Sequence, residues 1–131
     1  MVMRIKRTID IAMSNYSGII GFCVFTYEGR VAYASENMQL EFQSLYALLE
    51  AWNRPHPRFT LKNISFLTAM ADRNGLVAIN PDGAISLVAG TGNGVWFVTC
   101  FVPMDEDKNG IMRECIQSAK LLESSVSVLD V

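Results

Sequence analysis

The residues in this chain with the most chemical reach are one histidine, three cysteines, a glycine-rich run and an acidic triplet. His56 stands between two prolines. A zinc site draws on imidazole and thiolate ligands at short spacings. Neither a second histidine nor a nearby cysteine accompanies His56, so it reads as an exposed loop residue. Cys23, Cys100 and Cys115 are widely separated, and each sits inside an apolar pattern. Thiols become reactive beside cations or helix N-termini, whereas in apolar company they behave as small core hydrophobes. The run "GTGNG", Gly90 to Gly94, has the composition of a phosphate-cradling loop. Such a loop needs a helix after its glycines, and the strand-like "VWFVTCFV" follows instead, so the run reads as a hairpin turn. Asp105, Glu106 and Asp107 lack the alternating ligands and closing glutamate of a calcium loop, and suit the first turn of a helix. No GxSxG elbow surrounds any serine, and a single histidine leaves a triad only one possible base. The sequence therefore offers no catalytic residues, no metal ligands and no cofactor-binding motif, and an enzyme is not expected.

These residues are carried by elements that fit one domain of 131 residues, with a core of about 4–123 and a tail at 124–131. Hydrophobic residues make up 50% and charged residues 18%, too apolar for a disordered segment. So little polar surface points to a protein partner. The formal net charge is −2, and Arg4, Lys6 and Arg7 form a small cluster rather than a basic stripe, which argues against nucleic acid. Asp10 interrupts the N-terminal apolar positions, and no apolar run approaches the roughly 18 residues of a membrane span. With unpaired cysteines as well, a cytoplasmic location is expected.

Ile5, Ile9, Ala12 and Met13 recur at helical spacing and predict a first helix over 3–15. Gly18 to Tyr27 and Arg30 to Ala34 are two strand-like runs around Glu28-Gly29, a β-hairpin. Ser35 is placed as an N-cap of a long helix, with Met38, Phe42, Leu45, Leu49 and Trp52 on one face and Leu40, Tyr46, Leu48 and Ala51 off it. Arg54-Pro55-His56-Pro57 ends that helix. Residues 59–71 carry both a helical and an alternating pattern and are read as a helical or irregular extension. Leu76 to Asn80, Ala84 to Gly90 and Val95 to Val102 form a three-strand meander, and a last helix carries Ile111, Cys115, Ser118 and Leu122 on one side. The expected fold class is α/β (α+β), a five-stranded mostly antiparallel sheet with helices packed on it in the order α-β-β-α-β-β-β-α.

"GIIGFCVFTYEGRVAYAS" and "NGIMRECIQSAKLL" resemble the first hairpin and the closing helix of the roadblock family, dynein light-chain-like modules within the roadblock/longin and profilin-like folds. Residues 58–71 depart from that pattern as a longer connection. The resemblance implies a non-catalytic homodimeric scaffold or regulator, with a small Ras-like GTPase or another NTPase as partner. Its dimer interface would lie on the long helix, at Leu40, Leu45, Tyr46, Leu48, Leu49 and Trp52. The alternative is a PAS-like small-molecule sensor. Phe22, Phe25, Trp96, Phe97 and Phe101 fill the strands with bulk and favour the scaffold over a pocket.

Overall fold

The runs richest in β-branched and aromatic residues form the middle of the sheet, as burial on both faces demands. The computed structural model describes residues 2–53, 58–83 and 85–130. Helix α1 (Val2–Met13) leads into strands β1 (Gly21–Thr26) and β2 (Val31–Ala34), followed by helix α2 (Phe42–Asn53). Strands β3 (Arg58–Leu61), β4 (Ile64–Ala71), β5 (Gly75–Ile79), β6 (Ile85–Thr91) and β7 (Trp96–Pro103) come next, and helix α3 (Lys108–Ser125) follows. The strands make one antiparallel sheet of seven in the order β2-β1-β7-β6-β5-β4-β3.

The sheet separates two cores. On one face Phe25, Leu87, Ala89, Phe97 and Phe101 pack beneath Leu45, Leu48 and Trp52 of α2. Phe25 and Phe97 stack at 5.3 Å, and Trp52 meets Phe97 edge-on at 5.5 Å. On the other face Val24, Val88, Trp96, Val98 and Cys100 pack beneath Ile5 and Ile9 of α1 and Ile111, Cys115 and Leu122 of α3. Each fully enclosed large side chain is worth about 1.5–3 kcal/mol relative to exposure.

Helix α3 sits close to the sheet because β6 carries Gly90 beneath it. A Cβ there would stand 2.5 Å from the Ile116 backbone nitrogen and 2.8 Å from the Cys115 carbonyl carbon. At its start, Asp107 caps the helix by accepting the Gly110 N–H at 2.9 Å. The acidic triplet thus precedes α3 rather than forming its first turn. At the far end, the Trp96 indole N–H donates to the Val126 carbonyl at 3.1 Å, and Val126 is buried. The tail, for which no element was expected, is thereby tied to β7, and it carries a 3-10 turn at Val128–Asp130.

The structure corrects the sequence reading in the centre of the chain. The sheet has seven strands, not five, and five strands rather than three separate α2 from α3. Lys62 and Asn63 both take positive φ, 50° and 65°, and close a two-residue hairpin between β3 and β4. This turn has the twist that suits antiparallel strands. A bulge between Thr68 and Met70 then shifts the alternation, which is why Leu67 and Met70 imitate a helical spacing. The long helix is also interrupted: a 3-10 turn at Glu36–Met38 precedes α2. The Ser35 hydroxyl caps no helix. It accepts the Phe22 N–H at 3.0 Å and donates to Asn37 at 2.7 Å, tying this segment to β1. The Arg54-Pro55-His56-Pro57 stop signal lies outside the described residues.

Candidate functional site

Two of the three helices share one face of the sheet, yet they do not cover all of it. Helix α3 lies across β5, β6 and β7, and α1 packs beside α3 and toward β2. The outer strands β4 and β3 continue past the edge of α3. Their residues on this side follow from the register: Arg58 of β3 is opposite Leu67 of β4, which is opposite Ile79 of β5, which is opposite the buried Ser86 of β6. Phe66, one position earlier, points into the α2 core, so Leu67 points the other way.

Leu67 and Ile79 are half-buried, and among the described residues they join neither core. Met70 and Met112 mark the inner edge of this strip, with Met112 lying over Gly75 of β5. Met104 holds the corner, where its sulfur accepts the Ser86 hydroxyl at 2.9 Å and its carbonyl accepts the Lys108 ammonium at 2.6 Å. Arg58, Thr60, Ser65 and Arg113 are exposed around it. The result is an apolar strip rich in methionine with a polar and basic rim. Methionine packs against irregular surfaces with little strain, and an apolar centre inside a polar rim is the usual anatomy of a protein interface.

The residues with chemical reach are placed elsewhere. His56 lies outside the described residues. The Gly90–Gly94 run is a β6–β7 hairpin, and the anion its backbone gathers is the chain's own. The Glu123 carboxylate accepts N–H groups from Asn93 at 2.9 Å, Trp96 at 3.2 Å and Val95 at 3.3 Å. The three cysteines are buried. Burial pushes the Cys23 thiol up to about 12, and a shared hydrogen bond with Cys100 together with burial raises Cys115 well above the ordinary range. Among the described residues no group of histidine, cysteine and carboxylate is arranged to hold a metal ion. Among those residues, too, no helix is long and apolar enough to cross a membrane.

Of the six residues expected at a dimer interface, Leu40, Leu45, Leu48 and Trp52 lie inside this chain's own core. Leu49 is half-buried against that core, and Tyr46 is 57% exposed. The face expected through Met38, Phe42, Leu45, Leu49 and Trp52 crosses residues 39–41, which are not helical. Phe42 is 61% exposed at the start of α2, and the true buried stripe runs through Leu45, Leu48 and Trp52.

No family model and no curated protein matches the sequence. Solved structures do. LokiProfilin1, in complex with rabbit actin, matches with a TM-score of 0.84 over 96% of this chain and 98% of that chain, at 16% identity. LokiProfilin2, also with rabbit actin, matches at 0.82 over 94% and 98%, with 13% identity. Schizosaccharomyces pombe profilin matches at 0.73 over 91% and 96%, with 13% identity. The fold is profilin-like. These neighbours overturn the expectation of a homodimeric roadblock scaffold for a GTPase or other NTPase, and equally its PAS-like alternative. Neither the strip nor its residues were singled out from the sequence, although the alternation of Ile64, Phe66 and Thr68 was a usable signal.

Proposed function

We propose that this chain is a non-catalytic actin-binding protein of profilin type that docks actin on the open strip of β3–β5 and the adjoining edge of α3. The observation that carries the reading is the likeness, over nearly the whole of both chains, to LokiProfilin1 in its actin complex. The strip supplies the physical means. Leu67, Ile79, Met70 and Met112 offer apolar area at its centre, and Arg58 and Arg113 offer charge at its rim. Burying a few such side chains contributes about 1.5–3 kcal/mol each, against a docking cost of roughly 4–15 kcal/mol.

Titration of fluorescently labelled monomeric actin tests the reading. The wild-type chain should bind, and Leu67→Glu should weaken binding at least tenfold, because the new carboxylate would be desolvated against the partner. Leu67 is half-buried, so the variant should keep its fold and melt within a few degrees of wild type. Wild-type protein that leaves actin unbound at tens of micromolar would overturn the proposal.

A further inference from the structure

We propose that Cys100 and Cys115 are a disulfide-forming pair, an oxidation site that staples α3 to β7. Their Sγ atoms are 3.7 Å apart, and both side chains are fully enclosed. The closeness is built into the backbone. Gly90 lets α3 approach the sheet at Cys115 and Ile116, and Val88, two residues before Gly90 on β6, is the strand partner of Cys100. A disulfide needs its sulfurs at about 2.05 Å, so small side-chain rotations and a slight inward shift of α3 complete the bond.

The Met13 sulfur also lies 3.7 Å from the Cys100 sulfur, and three sulfurs in contact resemble a soft-metal site. Charge decides between the two. A cuprous ion on two thiolates and a thioether carries a net negative charge, and it would be enclosed among Val88, Val98, Ile111 and Ala119. A disulfide is neutral and suits that apolar cluster without a counter-ion.

A hydroperoxide is the oxidant that fits, because its small size lets it follow local opening of α3. In that opened state, where water reaches the sulfurs, one thiol gives up its proton and the resulting thiolate attacks a peroxide oxygen. The O–O bond breaks, an S–O bond forms, and with hydrogen peroxide one water leaves. The second thiol attacks the sulfenic sulfur, the S–S bond forms, the S–O bond breaks, and a second water leaves. Two thiols thereby give up two electrons and two protons to one peroxide.

The test treats the native protein with dilute hydrogen peroxide and does not depend on actin. The intact mass should fall by two hydrogen atoms, and non-reducing peptide mapping should join the Cys100 and Cys115 peptides. The melting temperature should rise by on the order of 10 °C, since closing the loop between two residues 15 apart removes about 3 kcal/mol of chain entropy from the unfolded state, and dithiothreitol should reverse every change. Cys23→Ala should behave as wild type, because Cys23 lies on the other face. Cys100→Ala and Cys115→Val should each lose the link. If either variant fails to fold, the wild-type peptide map remains decisive. Sulfinic or sulfonic acid at both cysteines, a link through Cys23 or between chains, or a one-to-one cuprous complex that shields both thiols would each overturn the proposal.

Discussion

Strands β1, β7 and β6 have helices over both faces, whereas β3 and β4 are covered by α2 on one face and left open on the other. The closed region holds the side chains that make the fold stable. The open region holds half-buried side chains that stability does not require to be apolar. An apolar residue with no core to fill is the better indicator of a partner. The comparison can be broken by placing the same charge in both regions. Leu48→Glu would put a carboxylate beneath α2, where Leu48 has no exposed surface, and should cost several kcal/mol, enough to unfold the chain or leave a small folded fraction in a urea titration. At Leu67 the same glutamate should cost less than about 1 kcal/mol. Equal losses at the two sites would remove the distinction between the regions.

The two regions also differed in how legible they were. "VWFVTCFV" reads as a strand because burial on both sides makes it continuously apolar, and the structure places β7 there. Strand-like runs and the turns between them located β1, β5 and β6, and a one-sided apolar spacing located α3. Strand β4 was misread because its apolar residues are divided between a buried face and an open one, and the bulge at Thr68/Met70 throws them out of phase. The β3–β4 turn gave little warning, since Lys62 is an unusual residue at positive φ. The long helix was expected to start after Ser35, whereas α2 starts at Phe42, and its buried face was misjudged because Phe42 belongs to the pattern and not to the core. The candidate site was illegible because Leu67 and Ile79 fill neither core, so their spacing does not report on this chain's own packing.

A smaller effect is expected from Gly90→Ala, which tests the closeness of α3 to the closed region. The added Cβ meets backbone atoms of Cys115 and Ile116 that cannot rotate away. The helix should move outward, at a cost of about 1–3 kcal/mol in the urea midpoint free energy. Gly90→Ala with unchanged stability would show that α3 is not held against β6.

The smallest effect is a pH dependence confined to the enclosed thiols. Burial, the largest cause, holds the folded Cys23 thiol near 12, against 9.0 for the free group. Below pH 9 both states keep the proton, and the full stability is present. As pH rises from 9 toward 12 the unfolded chain releases a proton that the folded chain retains, so stability falls by up to about 1.4 kcal/mol per pH unit for this thiol. Cys115 acts in the same direction. Urea midpoints compared at pH 8 and about 10 should show the loss, and Cys23→Ala should show less of it. A variant with the wild-type slope would place the alkaline sensitivity elsewhere.

Hydrogen exchange of the chain with and without monomeric actin tests the central claim most directly. Protection should appear in residues 58–71 and 104–113, the open strands and the edge of α3, while α2 at 42–53 keeps its free-state exchange. Protection centred on α2, or on α1 with β3 and β4 unchanged, would contradict the assignment of the open strip as the docking surface.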